Sequence, residues 1–371
     1  MESEELDLGI FDSIISEMRE IYLSDTAEWL IMTSHGKDST LQLTCVWKML
    51  ETLPIELRTK RVHVITGNTL VETPMMQEYV LKNLQAIEKA AIAQGLPIEV
   101  HMVVPEIKER FYFQVLGKGN PPPTERSSYR WCTDKMKLRP TERLTKSILN
   151  DQSVEIGRAH DLLMLLGVRI GEGTARGTSI SKHQVSKEGK MAKHSSNSRI
   201  LVYHPIKFIT KDELWEYLMK LKKLPWGVRT SELYLLYKDS TGECPLTAEG
   251  NPSKSCGGGR MGCTTCLVTG RQDKMLSHLI ESGEESMEHL LEWKLTLYDV
   301  RLDVRYREPL RKVEFRRHQK NQEHNEKLSL FDSLEDSDYL SFSRAKDWEF
   351  KPGPITIEGR KMLLKKLLSR R

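Results

Sequence analysis

Apolar residues change period repeatedly along this chain. Trp29 to Thr33 is an apolar run of strand length, and from Thr40 to Leu53 the apolar positions Leu41, Leu43, Val46, Trp47 and Leu50 fall at helical spacing. Val62 to Thr66 predicts a second strand, Pro74 to Gln94 a long helix with a proline in its first turn, and Ile98 to Val104 a third strand. Leu162 to Val168 adds another strand, and Thr210 to Leu221 a helix whose first turn reads as a capping box of Thr210 with Glu213. Strands separated by helices of this length predict an α/β fold, a doubly wound, mostly parallel sheet with helices on both faces. In such sheets ligands bind at the carboxyl ends of the strands. Gly171 to Ser198 is rich in glycine, serine and lysine without an apolar period and reads as a mobile loop over substrate, and Gly117 to Pro123 reads as an irregular crossing.

The first strand runs into Ser34-His35-Gly36-Lys37-Asp38-Ser39-Thr40 and then directly into a helix. Backbone N–H groups and the positive end of the helix dipole both point at an anion held in such a turn. Gly36 allows close approach, Lys37 adds a cation, and the hydroxyls of Ser34, Ser39 and Thr40 add donors. The loop is not a Walker A motif, because Asp38 follows the lysine, and an acidic residue in a phosphate loop points to a magnesium ion. Arg169 and Arg176, beyond the strand at Leu162, suit a bidentate phosphate clamp; the alternative for both is surface ion pairing with Glu172 and its neighbours.

Composition bounds the rest. The chain has 371 residues, 29% of them charged and 39% hydrophobic, enough for one large α/β domain with an appendage or for two modest domains. No apolar run approaches the roughly 20 residues of a membrane span, and the acidic start Met1 to Glu5 is unlike a signal peptide, so a cytoplasmic location with no membrane partner is expected. The net charge of +4 says little, but Arg301, Arg305, Arg307, Arg311, Lys312, Arg316, Arg317 and Lys320 crowd one stretch, as on a solvated face or a nucleic-acid contact.

Three of the six cysteines, Cys256, Cys263 and Cys266, share a glycine-rich loop, and the Cys263 to Cys266 spacing lets two sulfurs bind one metal centre. Cys132 and Cys244 are the candidate donors of a fourth thiolate, and spacing alone leaves structural zinc and an iron–sulfur cluster both open. Cys45 lies inside an amphipathic helix and reads as a buried apolar residue.

Ser34 to Ser39 resembles the pyrophosphate loop of ATP pyrophosphatases, with His35 where those enzymes have glycine. The order of this loop, Gly67 to Pro74, Trp131-Cys132-Thr133, Gly167-Val168-Arg169, Glu243-Cys244-Pro245, Cys256 to Cys266 and Lys351 to Thr356 is similar to the phosphoadenylylsulfate-reductase-like sulfurtransferases of bacterial DNA phosphorothioation, the Dnd system's C component or the Ssp system's D component. The resemblance implies an adenine nucleotide alpha hydrolase-like fold with a Cys-rich cluster-binding region and a helical C-terminal extension. Its expected divisions are an N-terminal helix or arm at 1–20, an ATP pyrophosphatase domain at 21–240, an iron–sulfur loop at 241–275 and a basic helical region at 276–371.

The resemblance also implies ATP and Mg2+ as cofactors and a 4Fe-4S cluster on Cys132, Cys256, Cys263 and Cys266. Implied partners are DNA, a cysteine desulfurase as sulfur donor and other phosphorothioation subunits, in an antiviral defence role. Lys37, Asp38 and Arg169 would be catalytic; Ser34, His35, Gly36, Lys37, Asp38, Ser39, Thr40, Asn68, Thr69, Arg169 and Arg176 would hold nucleotide. Asn68 stands where the family usually has aspartate. A sulfate-assimilation reductase, a tRNA thiolase and a non-catalytic nucleic-acid-binding subunit with structural zinc are the alternatives.

Overall fold

The computed structural model describes residues 9–125, 127, 129–151, 160–170, 189–195, 197–241, 262–308 and 353–369. They fall into two compact units: Met1–Asn68 with Pro74–Val104 and Arg139–Gly257, and Thr69–Thr73 with Pro105–Leu138 and Gly258–Arg371.

The first unit holds a six-stranded sheet in the order β3-β2-β1-β4-β6-β5. Its strands are β1 (Glu28–Thr33), β2 (Val62–Gly67), β3 (Ile98–Val103), β4 (Leu162–Leu166), β5 (Met191–Lys193) and β6 (Ile200–Tyr203). All pairings are parallel except that of β5 with β6. β5 corrects the reading of Gly171 to Ser198 as loop throughout: three residues pairing along an edge are too few to carry an apolar period. Residues 171–188 of that stretch lie outside the described residues.

Side chains alternate across the sheet, so each strand serves two cores. Trp29, Ile31, Val64, Leu163 and Leu165 pack into one with helices α1 (Gly9–Ser24), α2 (Lys37–Thr52) and α3 (Pro74–Ala93). Leu30, Ile65 and Met164 pack on the other face against Ile148 and Leu149 of α4 (Arg139–Asp151). This is the doubly wound α/β architecture. In α1, Phe11, Ile14, Met18 and Tyr22 are the buried residues, a three-to-four spacing that lays one stripe on the core. α2 is buried from Ser39 to Leu50 on nearly every side. It begins at Lys37, earlier than its apolar period, because the polar residues Lys37 to Ser39 form its first turn. Helix α5 (Lys211–Leu221) opens with the expected capping box of Thr210 and Glu213, and α6 (Thr230–Thr241) follows.

The second unit is helical. Its core of Val71, Phe111, Val115, Trp131, Met136, Leu267, Trp293, Leu297, Ile355 and Leu363 draws on α8 (Met287–Leu302), α9 (Ile357–Leu368) and loops, and α7 (Lys274–Glu281) packs beside α8. The segment Gly353–Thr356 ties this unit together: Ile355 N–H donates to the Gly119 carbonyl at 2.7 Å and Glu308 N–H to the Pro354 carbonyl at 2.8 Å. Gly119 has φ +71°, and a Cβ there would stand 2.5 Å from the Ile355 carbonyl oxygen, so glycine is required on both counts.

The described part of the basic run also belongs to this framework. Arg301 Nη1 donates to the Pro122 carbonyl at 2.6 Å, Arg307 Nε to the Gly353 carbonyl at 2.9 Å, and Arg305 pairs with Asp303 at 2.6 Å. Arg301 and Arg307 thus bond loop carbonyls, while Arg305 stays exposed beside its near neighbour Asp303. Arg311, Lys312, Arg316, Arg317 and Lys320 lie outside the described residues.

Candidate functional site

In the first unit, the chain turns sharply after β1. His35 adopts φ +55°, a left-handed conformation that explains the glycine expected there. Its imidazole is turned inward, 2% exposed, with Nε2 2.9 Å from Thr66 Oγ1 of β2, and the backbone N–H of His35 donates to Thr33 Oγ1 at 3.1 Å. Burial depresses its pKa to about 4, so the ring is neutral at physiological pH. His35 is therefore part of the loop's support, with its side chain packed under the turn.

The N-terminus of α2 sits at this turn. Ser39 Oγ donates to the Gly36 carbonyl at 3.1 Å and accepts from Ser34 N–H at 3.3 Å, closing the loop on itself. Thr40 N–H donates to the Gly36 carbonyl at 2.9 Å, and its side chain is buried. Lys37 N–H, in the first turn, donates to the Tyr237 hydroxyl of α6 at 3.1 Å, and Lys37 Nζ lies 5.4 Å from that ring's centre. Tyr237, braced edge-on by Trp215 at 5.4 Å, is a site residue that no local motif signals, since it lies two hundred positions from the loop.

β4 is the neighbour of β1, and its carboxyl end delivers Gly167-Val168-Arg169 to the same turn. A Cβ on Gly167 would meet the backbone of Asp38 at 3.1 Å, so the two loops touch only because this residue has no side chain. Arg169, 7% exposed, pairs its Nε with Asp38 Oδ1 and donates from Nη1 to the Ile209 carbonyl at 3.1 Å. Asp38 Oδ2 accepts from Lys37 Nζ at 3.0 Å. Arg169 is a buried brace holding the Asp38 carboxylate. Both oxygens of that carboxylate face cations. Glu172 and Arg176 lie outside the described residues.

Asn68 closes β2 at the same carboxyl edge, its N–H donating to the Val103 carbonyl at 2.9 Å and its amide nitrogen 3.9 Å from Met102 Sδ. Thr69 goes elsewhere. It belongs to the second unit, where its hydroxyl is bonded to Glu72 and stands 3.5 Å from Cys263 Sγ.

The thiols form the second constellation, within the second unit. Cys132 sits on a helical turn, Trp131–Thr133, and Cys263 and Cys266 flank a tight turn closed by Cys266 N–H on the Cys263 carbonyl at 3.2 Å. Burial pushes the Cys263 thiol up to about 11 and raises Cys132 as well, and the nearby Cys266 thiol pushes both in the same direction. Lys137 opposes that rise at both. Thr69 Oγ1 links the Cys263 sulfur to the Glu72 carboxylate.

A buried ion pair fixes the loop's exit. Lys294, fully buried, donates to Asp273 at 2.5 Å and to Thr269 Oγ1 at 2.6 Å, and Thr269 Oγ1 donates to the Cys266 carbonyl at 3.1 Å. Cys244 and Cys256 lie outside the described residues, and Cys45 is fully buried in α2.

No family model and no curated protein sequence matches the chain. Among solved structures, Candida glabrata FMN adenylyltransferase with FMN and the ATP analogue AMPCPP aligns over 68% of this chain and 68% of its own, at 10% identity and a TM-score of 0.34. The same enzyme with FAD and inorganic pyrophosphate aligns over 66% of each chain, with the same identity and score. No helix among the described residues is long and apolar enough to cross a membrane.

Proposed function

We propose that this chain is an ATP pyrophosphatase and sulfurtransferase that activates a DNA backbone phosphate for replacement of a non-bridging oxygen by sulfur. The observation that carries the reading is the convergence at adjacent strand ends. The α2 N-terminus with Lys37 follows β1, and the Gly167 contact with Arg169 follows β4, at the switch point where α/β sheets bind nucleotides.

A phosphodiester oxygen leaves badly. In the proposed reaction a DNA phosphate oxygen attacks the α-phosphorus of ATP, the bond to the β-phosphate breaks, and pyrophosphate departs with the electron pair. A sulfur nucleophile at the sulfide level then attacks the DNA phosphorus, and AMP leaves with the former DNA oxygen. Lys37 moves from Asp38 to the β and γ phosphates, where charge builds, while the α2 amides receive the oxygens. Tyr237 yields the Lys37 N–H as phosphate arrives. Arg169 keeps its bond to Asp38 and so keeps the loop in register.

Cys132, Cys263 and Cys266 suit a thiolate-bound group: two distant segments bring them together against the apolar Val71, Trp131 and Leu267, with Lys137 and the Thr69 hydroxyl close by. With Cys256 they would hold a 4Fe-4S cluster, which would relay, one at a time from an external reductant, the two electrons that bring persulfide sulfur to the sulfide level. A cysteine desulfurase would supply the sulfur, and partner subunits the choice of DNA site. The test is pyrophosphate release from ATP, together with sulfur-containing, nuclease-resistant dinucleotides in genomic DNA. Both should disappear in Lys37→Ala. Wild-type pyrophosphate release by that variant would overturn the assignment of the loop.

A further inference from the structure

At the amino ends of β2 and β3, opposite the loop edge, three metal-binding donors meet. His63 of β2 is in register with Glu99 of β3, and His101 lies two residues further on the same face. His63 Nδ1 is 3.0 Å from His101 Nε2 and 3.4 Å from Glu99 Oε2, and His101 Nε2 is 3.8 Å from the same Glu99 oxygen. Among the described residues, these are three histidine and carboxylate donors drawn within 4.8 Å of one another.

We propose that His63, Glu99 and His101 form a binding site for a zinc-class divalent cation, distinct from the thiol cluster and the phosphate loop. Donors about 2.0–2.1 Å from a tetrahedral zinc stand about 3.4 Å apart, and the three separations bracket that value. The remaining nitrogen of His63 supports the same reading: Nε2 is 3.0 Å from Glu28 Oε2, and Glu28 is in turn held by Arg61 Nε at 2.7 Å. A histidine that gives its outer N–H to a carboxylate turns a lone pair toward the metal. With Nε2–H given to Glu28, the Nδ1 lone pair faces the Glu99 oxygen. A proton from His101 answers only one of these two acceptors, whereas a cation answers all three donors at once.

Arg61 Nη1, 3.9 Å from Glu99 Oε1, is the opposing charge, and its closer bond to Glu28 holds it back. His63 is buried, while Glu99 is half exposed and His101 about a quarter exposed, so solvent reaches the fourth position. The imidazole-rich donor set selects zinc over magnesium or calcium. β3 is an edge strand, and a cation there staples it to β2.

The test is a Co2+ titration of the full chain, with Zn2+ as competitor. His101→Gln and Glu99→Gln, both on partly exposed side chains, should each bind one equivalent less than wild type. The near-ultraviolet thiolate-to-cobalt band should be equal in all three proteins. Zn2+ should raise the wild-type Tm by several degrees more than that of either variant. Equal cobalt stoichiometry in wild type and both variants overturns the site, as does loss of the thiolate band in step with the missing equivalent. A variant that melts lower without metal but binds the full cobalt complement also overturns it, leaving a hydrogen-bonded histidine pair.

Discussion

His35 and Thr66 are joined by a buried contact of 2.9 Å, from the left-handed turn after β1 to the end of β2. The folded-state pKa of His35, about 4, lies below the usual value for histidine, so the unfolded chain binds the extra proton between about pH 6.5 and 4. The stability this neutral ring contributes is present above pH 6.5 and lost as the pH falls, by about 2 kcal/mol at pH 5. His35→Asn, which tolerates the same backbone, should flatten that dependence; thermal melts of both proteins at pH 7.5 and pH 5 check it.

The Asp38 and Arg169 pair separates chemistry from support. Lys37→Ala removes a half-buried cation at the loop and should leave the Tm nearly unchanged while pyrophosphate release is lost. Asp38→Ala takes the carboxylate from a buried guanidinium and should lower the Tm as well. Melting curves beside pyrophosphate assays distinguish the two.

Cys132→Ser, Cys263→Ser and Cys266→Ser should each deplete bound metal in anaerobically purified protein. Cys45→Ser should retain it and melt earlier, because it places a hydroxyl among fully buried apolar side chains. Metal analysis with a thermal melt reads both. Lys294→Met belongs to the same experiment: the unpaired, buried Asp273 should cost about 3–5 kcal/mol and loosen the turn at Cys266.

Gly119→Ala forces a Cβ against the Ile355 carbonyl and a side chain into positive φ. A loss of at least about 1 kcal/mol is expected, with earlier proteolysis near Gly353–Thr356. Limited digestion with mass analysis locates the cut.

Alanine at Arg311, Lys312, Arg316 and Arg317 together should flatten the salt dependence of DNA binding by up to about one unit of log–log slope for each phosphate that is no longer neutralised. Arg301→Ala and Arg307→Ala should instead lower the Tm, because both bond backbone carbonyls within the second unit. Filter binding across a salt series, beside melting curves, tests the division.

The sequence by itself determined β1 to β4, the helices α2, α3 and α5, and the loop after β1, because each is written in local period and turn chemistry: the apolar run of β1, the Thr210–Glu213 cap, the glycine and lysine after a strand. β5 and β6, three and four residues long, are too short to carry such a signal. The sequence also marked Cys45 as core, from its place in an apolar helix. Only the tertiary structure decided who touches whom across long stretches of chain. Thr69 follows a strand end yet joins Cys263, Arg169 serves Asp38 rather than solvent, and Tyr237 covers the α2 N-terminus. Arg301 and Arg307 close loops although their spacing suggests a charged face. The physical reason is that periodicity records which side of an element is buried but carries no register between elements. A buried arginine's partner, or the pairing of His63 with Glu99, exists only once β-strand register and loop closure have set the distances.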